Sequence, residues 1–388
     1  MNGSSEQAVG LDRTVRFGEV QYDFHVRSGT SGRSDLRTRL TELDADRFVL
    51  VADTGLPEEL MQAVELNLGT VAPTTVVRAR AAESEKNLTA LDRIAEQALE
   101  SGITRRSVVV ALGGGVVGNL AGLLAALLFR GIRLVHMPTT LLGMSDSVLS
   151  LKQAVNSSCG KNHLGTFHAP VMVWNDLDFL RTLPADEIRS ALCETIKNVL
   201  GIVPEHYDEV ASLLRTDADY TPEVLGRFID LCVDAKSAVM RSDHQEKGEA
   251  LILEYGHTTG HAAELLTGGR FRHGYAIGVG MLAAARMSRR LGVLDLSDEH
   301  AHRELLERNG APTQLPPGLL TDALVEVVRR DNKRGYLPGT PGTLDYILLE
   351  APGRAHRPGG RMITQVDEET VRAGIESVLH DQRSLVVA

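Results

Sequence analysis

A chain of 388 residues with 43% apolar content is long enough for two domains and can fill sizeable cores. Its net charge of −10, without a long basic run, argues against a nucleic-acid binder. The longest strongly apolar stretch, residues 120–128, is too short to cross a bilayer and is closely followed by Arg130.

Residues 1–12 are polar and lack the apolar centre of a secretion signal, so they read as a loose cytoplasmic end. Residues 15–25 alternate apolar and polar, as a half-buried strand or hairpin does. Strands are predicted at 47–51, 74–78, 107–112 and 133–137, and helices at 58–68, 90–101 and 116–129. This alternation predicts a parallel sheet wound in the Rossmann manner. After about residue 179 the texture changes. Helices are predicted at 184–200, 222–241, 257–266, 275–291, 297–309 and 320–330. A late β pair joins 344–349 to 362–366, and Asp367 is placed to cap a last helix ending near residue 379. The expected architecture is a Rossmann-like α/β domain over residues 13–180 and a mainly α-helical domain over 181–388. A site is expected in the cleft between them. Cys159, Cys193 and Cys232 are far apart and form no CxxC pair, which suits a reducing cytoplasm and no disulfide or zinc role.

Three stretches carry chemistry. Gly113, Gly115 and Gly118 form G-x-G-x-x-G between a predicted strand and helix. There the first glycine permits a tight turn, the second lets the backbone approach a pyrophosphate and the third allows close packing. The acid expected about 20 residues later is missing at 136–139, and acids lie upstream instead, at Asp53 and Glu83. On its own, Asp53 also reads as an ordinary turn carboxylate. Next, the run from Thr139 and Thr140 through Ser145, Asp146, Ser147, Ser150, Lys152, Gln153, Asn156, Lys161 and Asn162 is dense in hydroxyls, amides and lysines. That composition suits a grip on a polyhydroxylated, phosphorylated molecule. Arg130, Lys197, Lys236 and Lys333 are further cations that could join it.

The third stretch, residues 254–280, holds His257 and His261 four apart on a helical pattern, then His273 before Gly274. Three imidazoles so close together suggest a metal site, and Glu194 upstream is the best candidate for its carboxylate. Two His and one Glu with an open position is a recurrent catalytic zinc set. The plainer alternative is a polar helix face with solvated histidines.

Together these residues resemble the dehydroquinate synthase-like sugar-phosphate cyclases over roughly residues 53–333. The glycine turn, Phe-Arg-Gly at 129–131, Pro-Thr-Thr-Leu-Leu at 138–142, Gly-Lys-Asn at 160–162, Glu-Thr-Ile-Lys at 194–197, Gly-His-Thr-Thr-Gly-His at 256–261 and His-Gly-Tyr-Ala at 273–276 occur in the family's order. The resemblance implies NAD, a divalent metal (zinc or cobalt) and a homodimer. It implies metal ligation by Glu194, His257 and His273, with His261 as a base or proton shuttle. It implies cofactor contacts at Asp53, Glu83, Lys86, Gly115, Val116, Val117, Gly118, Asn119, Thr139, Thr140, Asp146, Lys152, Gln153, Lys161 and Asn162. Substrate contacts are expected at Arg130, Asp146, Lys152, Asn162, Lys197, Lys236 and Lys333.

The departures from the family pattern narrow the expected substrate. Ala250 and Glu254 stand where dehydroquinate synthases carry the Arg and Asn that handle a substrate carboxylate. A negative Glu254 is electrostatically wrong for such a substrate and suits a neutral polyol bearing only phosphate. Ser-Asp-Ser-Val-Leu-Ser-Leu-Lys-Gln-Ala-Val-Asn at 145–156 with Glu-Tyr-Gly-His at 254–257 resembles the branch that cyclises glucose 6-phosphate for aminoglycoside antibiotic assembly. Asn119 replaces the aspartate common at this family's glycine turn. The implied reaction is transient oxidation by NAD, phosphate elimination, return of the hydride and intramolecular aldol closure. Lys152, Glu254 and His261 are its expected catalytic residues, with either Glu254 or the substrate phosphate removing the C5 proton. The neighbouring alternatives are a cyclase of sedoheptulose 7-phosphate, dehydroquinate synthase itself, an iron-type NAD-dependent alcohol dehydrogenase, and a sugar-phosphate sensor.

Overall fold

Apolar runs separated by turn residues fold in the first half of the chain into a seven-stranded, mostly parallel sheet. A computed structural model describes residues 9–29, 31–158, 160–331 and 333–379; residues 1–8 of the polar N-terminus and Cys159 lie outside these. The first unit comprises Met1–Leu183 with Thr221–Val233, the second Pro184–Tyr220 with Asp234–Ala388.

In the first unit the strands are β1 (Gly10–Phe17), β2 (Val20–Arg27), β3 (Phe48–Asp53), β4 (Thr74–Ala79), β5 (Val108–Gly113), β6 (Arg133–Pro138), β7 (Lys152–Ser157), β8 (Gly160–Phe167) and β9 (Met172–Asp176). The sheet order is β1-β2-β9-β6-β5-β3-β4, with only β1 and β2 antiparallel. Helices α1 (Ser31–Glu42) and α2 (Glu58–Gly69) cover one face, α3 (Leu88–Glu100) and α4 (Gly115–Leu127) the other. Strand alternation explains the unbroken apolar runs. In β3, Val49 and Val51 enter the core under α3 and α4, while Phe48, Leu50 and Ala52 enter the core under α1 and α2.

Two boundaries differ from the sequence expectation. The helix predicted to residue 129 ends at Leu127, because Phe129, Arg130 and Gly131 take positive φ of 51°, 70° and 121° and turn the chain toward β6. Residues 152–167 form an antiparallel hairpin, β7 with β8, that the polar run had concealed. A five-residue helix, α5 (Leu141–Ser145), precedes it, with the Thr140 side chain accepting from the Gly143 amide.

The second unit is mainly helical: α6 (Ala185–Gly201), α7 (Tyr207–Leu213), the last turns of α8 (Pro222–Met240), α9 (His257–Leu266), α10 (His273–Arg290), α11 (Leu296–Arg308), α12 (Thr321–Val328) and α13 (Glu368–Glu376). Helices α6 and α10 are buried almost all round, so they form its centre. Asp367 caps α13 by accepting from the Thr370 amide. The expected strand over 344–349 divides: β10 (Thr343–Tyr346) pairs with β13 (Thr364–Asp367), while β11 (Leu349–Ala351) pairs with β12 (Arg354–Ala355). The buried Ile347 and Leu348 leave the ladder between them.

Candidate active site

The glycine turn joins β5 to α4. A Cβ at Gly113 would stand 2.8 Å from Val117 Cβ and 3.2 Å from Asp53 Cβ, so only glycine fits, and the turn sits against the end of β3. A Cβ at Gly115 would meet only Ser147 Oγ at 3.7 Å, which leaves room in front of the first amides of α4. A Cβ at Gly118 would meet the His136 ring at 3.7 Å, ordinary contact, so this third glycine is not needed for packing here. Val116 is half-buried, whereas Val117 points into the core. Thr139 donates its amide to the Gly113 carbonyl (3.1 Å), and Thr140 lies against Gly114. Asp53 Oδ1 accepts from the Gly55 amide, the turn role that its sequence also allowed. Lys152 is exposed and, with Gln153, lines the recess at the glycine turn.

Asn119 and Gln153 hold the recess together. Asn119 Nδ2 donates to the Gly115 carbonyl and its Oδ1 accepts from the Ala154 amide, both at 2.9 Å, tying α4 to the hairpin. Gln153 is buried and donates to the His168 carbonyl. At the other end of the hairpin, Glu83, Lys86, Lys161 and Asn162 gather around Asn156. Asn156 donates to Glu83 Oε1 (2.7 Å), the Asn162 amide donates to Asn156 Oδ1 (2.9 Å), and Lys86 Nζ donates to Asn162 Oδ1. Lys161 Nζ lies 3.8 Å from Glu83. Asp146 is half-buried at the end of α5. Arg130 is not part of this assembly. It is exposed past the far end of α4, roughly 20 Å along the helix from the turn by a rise of about 1.5 Å per residue.

The second unit brings the other expected residues together. Gly256, at φ +80°, starts α9, and any Cβ there would press on Ile277 and Met281 of α10. Gly274 packs on α6, where a Cβ would run into the Ser190 carbonyl, and its amide donates to Ser190 Oγ at 3.1 Å. The two contacts bring His257 and His261 of α9, His273 of α10, and Glu194 one turn after Ser190 into one cluster. Ring centroids are 5.0 Å apart for His257–His261, 5.6 Å for His257–His273 and 5.9 Å for His261–His273. Glu194 Oε1 lies 3.5 Å from His273 Nε2 and 3.8 Å from His257 Nε2.

The charges around this cluster are buried. Glu194 is fully buried and ion-paired with Lys197. Burial opposes its ionisation, but Lys197 and the imidazoles outweigh it and hold the carboxyl well below the usual range. Burial, then Lys197, pushes His257 well down, and burial pushes His261 down. For His273 burial is outweighed by Glu194 and Glu264, which raise it to about 10. Lys333, 1% exposed, donates to Glu254 Oε2 (3.2 Å) and Asp331 Oδ1 (3.0 Å). Burial would neutralise it, but these two acids keep it an ammonium. Lys236 is buried on α8.

The donor set suits a divalent ion. Ligand atoms of Glu194, His257 and His273 lie within 4.8 Å of one another. Glu194 Oε1 is buried without a hydrogen-bond partner among the described residues, an atom that coordination would satisfy. The Nδ1 of His257 is 3.2 Å from the Tyr255 carbonyl, which can only accept, so its Nε2 keeps a lone pair toward Glu194. Glu264, seven residues after His257 on α9, was missed by sequence reasoning. Its place on the same helical face at i, i+4, i+7 was the available signal.

The 3-dehydroquinate synthase N-terminal model matches residues 76–190, and the 3-dehydroquinate synthase C-terminal model matches residues 191–334. A 2-deoxy-scyllo-inosose synthase of Streptomyces kanamyceticus is 44% identical over 371 residues, covering 95% of each chain. One of Streptoalloteichus tenebrarius is 47% identical over 352 residues, 90% of this chain and 91% of that one. This chain belongs to the 2-deoxy-scyllo-inosose synthase family. A crystal structure of 2-deoxy-scyllo-inosose synthase complexed with carbaglucose-6-phosphate, NAD+ and Co2+ matches with a TM-score of 0.90 at 34% identity, over 95% of this chain and 100% of that chain. In this 2-deoxy-scyllo-inosose synthase family member, Ala250 is fully buried, so its position offers no cation to a substrate carboxylate. No helix among the described residues is long and apolar enough to cross a membrane.

Proposed function

We propose that this enzyme converts D-glucose 6-phosphate to 2-deoxy-scyllo-inosose and phosphate, as part of 2-deoxystreptamine aminoglycoside assembly. The observation that carries the reading is Glu254, held by buried Lys333 three residues before His257, beside a Glu-His-His metal set. An acid there, with buried Ala250 nearby in sequence, disfavours a carboxylate-bearing substrate and suits a neutral polyol phosphate.

The amides that open α4 would hold a pyrophosphate, with Thr139, Thr140 and Lys152 beside them and Glu83, Lys86, Lys161 and Asn162 holding the outer part of the cofactor. Glu194 Oε1 and the Nε2 atoms of His257 and His273 would hold the metal. When bound, NAD supplies a reversible hydride acceptor and the metal ion supplies a Lewis acid for the reacting hydroxyls. Glu254 would hold the proton removed from C5, while Lys333 balances its charge and fixes Oε2. Lys152 and Lys197 would stabilise the departing phosphate. His261, kept neutral by burial, can accept and return a hydroxyl proton. The enzyme is expected to work as a cytoplasmic homodimer.

Incubation with glucose 6-phosphate, NAD and Co2+ should release phosphate with no net NADH. Steady NADH accumulation would point to an alcohol dehydrogenase. Faster turnover of sedoheptulose 7-phosphate in the same assay would move the substrate assignment to that cyclase.

A further inference from the structure

His257 and His273 present the same nitrogen, Nε2, to Glu194, but their other nitrogens are held differently. The Nδ1 of His257 faces a neutral carbonyl in its own turn, that of Tyr255. The Nδ1 of His273 lies 3.1 Å from Oε2 of Glu264, a carboxylate reaching across from α9. Thus the helix that supplies one imidazole also supplies the acid that faces the other. Glu264 is largely enclosed, its side chain 13% exposed, and His273 is half-buried.

We propose that Glu264 is a positioning residue for His273: its Oε2 accepts the Nδ1–H, which leaves the Nε2 lone pair facing Glu194 and raises the basicity of the imidazole as a metal ligand. The proposal rests on the metal-site reading above. His261, Glu264 and His273 also form a second group whose ligand atoms lie within 4.8 Å, and Glu264 would be a ligand there rather than an orienting group. Two observations favour orientation. The Glu264–His273 contact has hydrogen-bond length, and Glu194 Oε1, buried without a hydrogen-bond partner among the described residues, lies on the Nε2 side of the ring. An ion on Nδ1 would remove the proton that fixes this tautomer.

The test is Co2+ binding to chelator-treated protein by calorimetry, with the visible absorption of the cobalt form recorded alongside. Wild type should bind one equivalent. Glu264→Gln keeps an acceptor for Nδ1–H and should bind about 10-fold more weakly; Glu264→Leu keeps none and should bind up to about 100-fold more weakly. Both should show an altered cobalt spectrum, while the metal-free proteins stay folded and unfold cooperatively. That graded loss, partly rescued by Gln, is not expected of a merely structural residue. Wild-type affinity and spectrum in Glu264→Leu overturn the proposal, as does a wild type that binds two equivalents and loses one in Glu264→Leu. A wild type that binds no cobalt overturns the metal reading and this inference with it.

Discussion

In the glycine-turn recess of the first unit, polar side chains answer one another. Asn119 bridges the Gly115 carbonyl and the Ala154 amide, Asn156 bridges Glu83 and Asn162, and the donors proposed to meet a pyrophosphate are the backbone amides that open α4. The cluster in the second unit is built instead from buried charge: Glu194 and Lys333 are almost wholly enclosed, and Glu194 Oε1 has no hydrogen-bond partner among the described residues. Hydrogen-bonded backbone is insensitive to most single side-chain changes. A buried charge set left partly unmatched costs several kcal/mol per ion and is worth keeping only for its chemistry. Substitutions should therefore act on turnover in the cluster and on stability in the recess.

The largest effect is expected from His257→Ala. It removes one of three metal donors, and the protein should lose stoichiometric cobalt in elemental analysis, with turnover falling roughly 10³-fold or more. Full metal occupancy in that variant would break the ligand assignment. Glu254→Gln comes next. It keeps the shape and the Lys333 contact but not the base, so kcat should fall about 10²- to 10⁴-fold while cobalt and NAD binding stay at wild-type level. Wild-type turnover would leave the substrate phosphate as the base.

Both units nevertheless enclose neutral imidazoles. Burial first of all pushes His136, beside the glycine turn, and His302, on α11, down from 6.5 to about 4. Below about pH 6.5 the unfolded chain takes up protons that the native protein refuses until about pH 4, so stability is present above 6.5 and is lost as pH falls toward 4. Between pH 6.5 and 5 each should cost roughly 2 kcal/mol. His273, raised to about 10, works the other way: its stabilisation is complete only below about pH 6.5 and declines as pH rises, so it offsets a minor part of the loss between pH 7 and 5. Guanidinium unfolding of metal-free protein should give a clearly lower midpoint at pH 5 than at pH 7; a level profile would contradict neutral burial.

The two regions were also unequally legible in the sequence. Strands β3 and β5 show as apolar runs because both sheet faces are covered, and the glycine turn follows from its spacing. The hairpin of β7 and β8 did not show, because every residue from 162 to 167 is exposed or nearly so and polar residues dominate it, leaving no period-two signal. Strand β9 is only five residues long, and its place between β2 and β6 is a matter of topology. In the cluster, residue types announced the histidines and Glu194, since chemistry needs those types. The Tyr255 carbonyl lies in the turn of His257 itself, whereas Glu264, although on the His257 face of α9, meets His273 only through the crossing of α9 and α10, which no local pattern encodes.

The glycine turn itself gives the finest test of how far a motif stands for a geometry. Gly113→Ala places a methyl 2.8 Å from Val117 Cβ, and neither the strand end nor the first turn of α4 can yield freely. It should cost about 1–3 kcal/mol and weaken NAD binding, read by thermal unfolding and calorimetry. Gly118→Ala concerns an equally regular position of G-x-G-x-x-G, yet its methyl meets only the His136 ring at 3.7 Å. Residue 118 also lies inside α4, where alanine is favoured over glycine by roughly 0.5–1 kcal/mol through backbone entropy. The substitution should therefore raise the unfolding midpoint slightly and leave NAD binding unchanged. If instead it destabilises the protein as much as Gly113→Ala does, the third glycine is a packing residue after all, and the recess is tighter around His136 than its contact distances imply.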